Sequence, residues 1–367
     1  MSAFLHHLTT RVPAHACSQE ETRDRLKTWT PDRRQQRLIH ALYAHSGIDR
    51  RHSVLPDFNQ DPQLFQTNAT GQLQPPGTAA RNTVYAREAP TLAVDLVRDL
   101  LSSAETHGTP RSRVTHLIFA SCTGFTNPGP DYQIIRQLGL SPSVQRYTLG
   151  FMGCYAAFPA LRMAAQFCQA DPTAVVLVVC LELCTLHMQL DPRPDTLLAN
   201  SLFADGAAAC LVTAEKPTTP GFELHHFATT LVPASESEMA WDIGDHGFNL
   251  VLSSYVPDIL GTQIAPLLAA AADHAGWPLD SLTHWAVHPG GRAILDRVSA
   301  ALHLPPDALA ASRHILRHFG NMSSPTILFV LQEMLRHPVP HADPRTCALA
   351  FGPGLTVETA FLKNLAA

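Results

Sequence analysis

Two stretches of this chain repeat one another, and the repetition restricts it to folds built from two similar halves. Val114-Thr115-His116-Leu117-Ile118-Phe119-Ala120-Ser121-Cys122 and Leu282-Thr283-His284-Trp285-Ala286-Val287-His288 are short apolar runs that open on Thr-His and lead into a glycine turn. Each reads as a buried, parallel-type strand, because an unbroken apolar run covers both faces of a strand. Thr115 stands 39 positions before Cys154, and Thr283 stands 38 before Asn321. Cys154 and Asn321 therefore occupy equivalent points of a duplicated βα unit. A proline follows each of them within five residues, Pro159 and Pro325, and an apolar helical stripe runs alongside: Phe158, Leu161, Ala165 and Cys168 in one copy, Ile327, Leu328, Leu331 and Leu335 in the other. Proline is tolerated in a first helical turn, where its missing N–H would have had no partner. Both polar residues are thus placed at helix N-termini, and a thiolate there is favoured by the helix dipole and the free N–H groups.

A single cysteine or histidine would carry little weight in a chain with eight Cys and 20 His, since most are core thiols or satisfied imidazoles. Cys154, His288 and Asn321 stand apart because each falls where a strand or loop runs into a helix. Together they suit carbon–carbon bond formation on thioesters. A thiolate holds an acyl chain, an imidazole lowers the thiol pKa, and imidazole and amide together donate hydrogen bonds to an enolate.

Around these residues stand Val114-Thr-His-Leu-Ile-Phe, Asn127-Pro-Gly-Pro-Asp-Tyr-Gln, Gly153-Cys154, Val178-Val-Cys-Leu-Glu182, Leu202-Phe203-Ala-Asp-Gly-Ala-Ala-Ala, His288-Pro-Gly-Gly, Gly320-Asn321-Met-Ser-Ser and Phe351-Gly-Pro-Gly. In these eight ordered motifs the chain resembles the type III polyketide synthases, the chalcone-synthase-like branch of the thiolase-fold condensing enzymes, from about Ser46 onward. The resemblance implies an α/β thiolase fold, in which duplicated βαβαβ halves form a five-layered αβαβα core. Residues 1–215 would form the half with the nucleophilic Cys154, and residues 216–367 the half with His288 and Asn321. It implies acyl-CoA and malonyl-CoA as substrates, no cofactor or metal, and a homodimer in which the loop carrying Asn127 and Pro128 reaches toward the partner. Phe203 matches the family's gatekeeper aromatic, an apolar surface that disfavours the malonyl carboxylate and so favours its loss.

Departures from the plant pattern suggest the kind of synthase. Alignment on Gly247 puts Leu250 where a second gatekeeper Phe is usual, beside Phe248, and Trp241 falls where plant enzymes have Gly. Cys122, Cys184 and His187 occupy cavity positions that carry Thr in those enzymes, next to Thr123, and Ser323 matches the serine beside the catalytic Asn. The pattern is most similar to bacterial alkylpyrone and alkylresorcinol synthases, which accept fatty acyl starters and close a pyrone or resorcinol ring. For CoA, Gly290, Gly291 and Ala293 match the family's binding segment. The basic residues of the plant helix are replaced by Leu38, Ala41 and His45, leaving Arg33, Arg34 and Arg37 as substitutes on what is equally a solvated helix face. A starter carried by an acyl carrier protein stays open. So do an initiating ketoacyl-ACP synthase-like enzyme and a thioester hydrolase, both of which share the Cys-His-Asn set.

Composition excludes other classes. At 367 residues and 46% hydrophobic the chain can bury a large core. A net charge of −5 gives no basic footprint for nucleic acid. No window approaches about 18 uninterrupted apolar residues, so no membrane span is expected. The N-terminal segment lacks a secretory pattern, and the cysteines read as reduced thiols of a cytoplasmic protein. Cys180, Cys184 and His187 have a spacing that touches on zinc sites, but Val175-Val-Leu-Val-Val-Cys180 reads as a buried strand. Residues 88–107 are expected as an amphipathic helix on Ala93, Leu96, Val97 and Leu100, and 53–80 as an irregular segment.

Overall fold

The computed structural model describes residues 2–365 apart from 70–72, 234, 236 and 254. Its strands are β1 Phe4–Arg11, β2 His15–Ser18, β3 Arg50–Ser53, β4 His116–Ser121, β5 Gln145–Gly150, β6 Val175–Leu183, β7 Asp205–Thr213, β8 Gly221–Leu231, β9 Met239–Gly244, β10 Gly247–Leu252, β11 His284–Val287, β12 Arg345–Gly352 and β13 Thr356–Leu365. Its helices are α1 Gln19–Trp29, α2 Arg33–His45, α3 Thr78–Thr106, α4 Pro130–Leu138, α5 Ala157–Ala170, α6 Pro194–Leu202, α7 Val256–Ala275, α8 Arg292–Ala301, α9 Ala310–Phe319 and α10 Thr326–Arg336.

The expected repeat is present in the hydrogen bonding. β4 runs parallel to β6, which pairs antiparallel with β7, and β7 with β1. In the second half β11 runs parallel to β12, which pairs antiparallel with β13, and β13 with β8. The Thr-His that opens each unit does the same work twice. Thr115 donates to Val175 O and accepts from Val175 N–H, while Thr283 donates to Arg345 O and accepts from Arg345 N–H. Each hydroxyl thus starts a parallel pairing. β5 extends the first half beside β4. Among the described residues it has no counterpart in the second, where α9 runs straight into Gly320-Asn321.

Side-chain alternation sorts the strands into layers, because successive residues point to opposite faces. On one face, Leu117, Phe119, Leu177 and Leu211 pack under α3 and α4. On the other, Ile118, Val176, Val178 and Cys180 pack against Phe158 and Leu161 of α5 and Ile327 and Leu331 of α10, together with Ala348 and Leu362 of the second half. Cys347, Leu349 and Phe361 face away from that layer, toward α7 and α8. Helices therefore lie outside, between and outside the two half-sheets, which is the thiolase-type arrangement. Each buried Leu or Phe of the middle layer contributes roughly 1.5–3 kcal/mol. The half-sheets are not separate: β1 also pairs with β8 through Phe4, Leu5 and His6.

α3 starts ten residues before the expected helix. The buried stripe continues backward through Ala89, Tyr85, Val84 and Arg81, and Pro90 lies inside the helix without ending it. Among the described residues no helix is long and apolar enough to cross a membrane.

Candidate active site

Cys154 sits in a single 3-10 turn, Gly153–Tyr155, between β5 and α5. The chain reaches it through left-handed backbone at Phe151 (φ 56°) and Gly153 (φ 75°). A Cβ on Gly153 would stand 2.5 Å from Pro353 Cδ, and one on Gly352 would stand 2.4 Å from the Tyr155 ring. The Phe351-Gly-Pro-Gly segment of the second half is thus the seat of the cysteine turn. Gly153→Ala is expected to destabilise the protein by about 2 kcal/mol or more, from left-handed strain plus the collision. A thermal midpoint unchanged from wild type would refute this.

Asn321 is held reciprocally by the first half. Its N–H donates to Leu202 O at 2.9 Å, and its carbonyl accepts from Ala204 N–H at 2.9 Å, flanking Phe203. Its Oδ1 accepts from Ser323 N–H at 2.8 Å, while Nδ2 has a long bond of 3.4 Å to Gly290 O. The amide is oriented with donor capacity to spare. Ser323 itself has φ 58°, a strained value for a residue with a side chain. His288 directly follows β11, its N–H donating to Leu349 O at 2.8 Å. Its ring is buried, and neither nitrogen has a hydrogen-bond partner among the described residues.

The three residues line one cavity of about 600 Å³, with Cys122, Thr123, Cys184, Phe203, Trp241, Leu250 and Ser323. Besides Gly153 and Gly290, the lining includes Met239, Leu252, Ile294, Phe351 and Pro353, and the sequence reading placed none of these five in the cavity. Alternation in Met239-x-Trp241 and Leu250-x-Leu252 could have found the first two. In the β9–β10 hairpin Trp241 pairs with Leu250 and Met239 with Leu252. The Trp241 ring is pinned by a 2.9 Å bond from Nε1 to Cys122 O.

His187 and Phe248 do not line this cavity. They line a second one, of about 700 Å³, that shares only Cys184, Phe203, Trp241 and Leu250 with the first. His187 donates from Nε2 to Thr123 O, accepts at Nδ1 from Phe248 N–H, and stacks on the Phe248 ring at 4.0 Å. Both nitrogens are committed to the backbone, and burial lowers its pKa to about 3. It is a neutral wall group. A third cavity, of about 960 Å³, meets the first at Leu252, Gly290 and Ile294 and includes Gly291, Arg292, Ala293, Ala41 and His45. Arg33, Arg34 and Arg37 are exposed on α2 outside its lining, with Arg37 one turn before Ala41. Asn127 and Pro128 lie in the loop before α4, joined by a cis peptide bond. Cys180, on β6, faces the middle helix layer.

The electrostatics are set by burial. Burial raises the Cys154 thiol pKa to about 11, although hydrogen bonds with the Ser323 and Asn321 side chains lower it, and burial drops that of His288 to about 3. Each group alone is pushed toward its neutral form, against the helix-terminus effect expected from sequence. Cys154 and His288 line the same cavity, where an imidazolium would offset the charge of a thiolate.

Glu182, at the end of β6, is fully buried. It accepts from Cys122 N–H, Thr123 Oγ1 and Ser324 Oγ at 2.9, 2.9 and 2.7 Å. Desolvation raises its pKa to about 7 in spite of these donors. The folded protein then keeps a proton that the unfolded chain releases near its ordinary carboxyl pKa. The contribution is full below that value and is lost as pH rises through about 7. Denaturant titrations of Glu182→Gln should show a weaker fall in stability between about pH 5 and 8 than the wild type, and identical slopes would count against it.

Residues 2–216 match the family model for the N-terminal domain of chalcone and stilbene synthases, and residues 223–366 match that for the C-terminal domain. Among solved structures, PKS-I from the brown alga Ectocarpus siliculosus is 26% identical, with a TM-score of 0.91 over 99% of this chain and 98% of that one. 1,3,6,8-Tetrahydroxynaphthalene synthase from Streptomyces coelicolor, a bacterial type III polyketide synthase, is 29% identical, with a TM-score of 0.86 over 99% and 100%. The C-terminal type III domain of Steely1, a type I/III hybrid from Dictyostelium, is 26% identical, with a TM-score of 0.87 over the full length of both chains. A chalcone-synthase-like condensing fold with Cys, His and Asn around one cavity defines the class. The chain belongs to the chalcone and stilbene synthase family and is a type III polyketide synthase, an acyltransferase that uses CoA thioesters.

Proposed function

We propose that this synthase extends a fatty acyl starter held on Cys154 by decarboxylative condensation with malonyl-CoA, and that the product closes to a pyrone or resorcinol-type ring. The observation that carries the fatty acyl reading is the second cavity, reached across Phe203, Cys184, Trp241 and Leu250 and lined in part by Phe58, Met188 and Phe248. An apolar chain leaving Cys154 continues, in this reading, along that wall.

In this reading His288 takes the proton from Cys154 Sγ, and the thiolate attacks the starter thioester with CoA as leaving group. Malonyl-CoA enters through the cavity formed by α2, α6 and α8. Its carboxylate, pressed against the Phe203 ring, leaves as carbon dioxide, and the enolate oxygen is held by His288 and by the spare donor of Asn321 Nδ2. The enolate carbon then attacks the Cys154 thioester and releases the sulfur. Each step uses a thioester and a proton that the substrates and side chains supply, so the reaction calls for no cofactor. The starter arrives on CoA or on an acyl carrier protein. The protein acts as a homodimer, with Asn127 and Pro128 and the half-exposed Phe125 at the partner-facing loop.

Trp241 and Leu250 oppose each other across the hairpin, so the size of one sets the gap left by the other. A small Leu250 leaves a passage beside a pinned Trp241. Each methylene that finds an apolar wall is worth roughly 0.8 kcal/mol, so a few buried groups favour a long starter by more than tenfold. Lauroyl-CoA should therefore exceed both hexanoyl-CoA and coumaroyl-CoA in kcat/KM, with products identified by mass spectrometry. A preference for coumaroyl-CoA would sink the fatty acyl reading, and activity on hexanoyl-CoA alone would mean that Trp241 plugs the passage.

A further inference from the structure

Arg51, on β3, is buried, and its partners are uncharged. Its Nη1 donates to Asn200 O at 2.7 Å and to Phe203 O at 2.6 Å, and its guanidinium lies 5.4 Å from the Tyr43 ring centroid. Tyr43 reinforces the same spot, its hydroxyl donating to Asn200 O at 2.8 Å. These carbonyls belong to the last turn and cap of α6, where a helix leaves carbonyls without partners and favours a cation. Of the two carbonyls between them, Ser201 O accepts from Gln19 Nε2 at 2.7 Å and Leu202 O accepts the Asn321 N–H. Gly320 completes the contact: a Cβ there would stand 3.0 Å from both Arg51 Cγ and Leu202 O. One guanidinium thus fixes the short segment that carries the Phe203 ring and pairs with the Asn321 backbone.

We infer that Arg51, whose side chain also forms part of the wall of the second cavity, is a positioning residue, which sets the Phe203 ring and the Asn321 amide relative to each other through the backbone it holds. The inference rests on the roles given above to Phe203 and Asn321. Both carbonyls are held by the two N–H bonds of one nitrogen, Nη1, whose directions the planar guanidinium fixes, whereas the donors of an ammonium rotate freely. Loss of the clamp should affect the step that uses Phe203 and Asn321 together, the decarboxylation of malonyl-CoA. It should spare loading on Cys154 of a starter too short to reach the second cavity, such as acetyl-CoA, because the cysteine turn rests on Pro353 and Gly352 instead.

The test compares wild type, Arg51→Lys and Arg51→Met for thermal midpoint, loading of Cys154 from acetyl-CoA by intact mass, decarboxylation of labelled malonyl-CoA per loaded site, and product length. Arg51→Met is expected to load this short starter at close to the wild-type rate, to decarboxylate about 10- to 10²-fold more slowly, as displaced catalytic groups do, and to release shorter products. Arg51→Lys should fall between the two. It also carries the test if the Met variant fails to fold. In a Phe203→Leu, Arg51→Lys double variant the change in product length should be smaller than the sum of the single effects. A lowered midpoint with unchanged decarboxylation and product length would overturn the inference, as would equal loss of loading and decarboxylation, or failure of both variants to fold. A wild-type protein that does not decarboxylate malonyl-CoA would overturn the proposed function, and this inference with it.

Discussion

Cys154→Ala is expected to abolish acyl-enzyme formation and chain extension, on the order of 10⁴-fold or more, because no other group in the cavity replaces the covalent step. Two further thiols, Cys122 and Cys184, line the same cavity. Burial and the nearby Glu182 carboxyl hold both well above the ordinary thiol pKa. Cys122 is further committed, its Sγ lying 3.4 Å from Glu182 Oε1. The Ser323 side chain lowers the thiol pKa of both Cys122 and Cys154, and of the three thiols Cys154 alone is lowered by the Asn321 side chain as well. Its removal deletes one sulfur from a cavity wall and should leave the fold intact. Intact-protein mass spectrometry after incubation with an acyl-CoA gives the answer. A surviving adduct would transfer the nucleophile to Cys122 or Cys184.

Asn321→Ala should slow malonyl-CoA decarboxylation by about 10²- to 10³-fold, the usual cost of losing one oxyanion donor, while Cys154 still loads starter. The same change removes Oδ1, the acceptor of the buried Ser323 N–H. An unsatisfied buried donor costs about 1–3 kcal/mol, so a lower thermal midpoint is expected as well. Asn321→Asp separates the effects, since a carboxylate keeps the acceptor and lacks the N–H donor. It should restore much of the midpoint and none of the decarboxylation. Recovery of activity in the Asp variant would show that the amide acts through the loop rather than on the enolate.

The duplicated unit was legible because its signal is local: Thr-His at each strand opening, a polar residue at a matching distance, and a proline in the next helical turn. That β4, β6 and β11 are buried strands followed from their apolar runs. Tertiary proximity was less legible. Trp241 and Leu250 stood out singly, yet their direct opposition depends on the register of the hairpin, which the two-residue connection Asp245-His246 fixes. His187 and Phe248 were placed in the reacting cavity, whereas a 4.0 Å stack turns them toward the second. Glu182 was visible as an acid ending an apolar strand, but its donors come from the segments after β4 and before α10. Arg51 gave no sign, since its partners are main-chain carbonyls that any sequence would supply.

The seam between the half-sheets has a consequence for the order of events during synthesis. β1 leaves the ribosome well before both of its neighbours, β7 and β8, which lie about two hundred positions later. Its backbone donors and acceptors must wait for more than half the chain before they can pair, and contacts so distant in sequence are slow to form. During that interval Phe4-Leu5 is an unpaired, partly apolar edge of the kind that recruits other chains. Coexpressed chaperones and slowed translation should therefore affect the yield of folded protein more than substitutions in the later, locally paired β12–β13 hairpin.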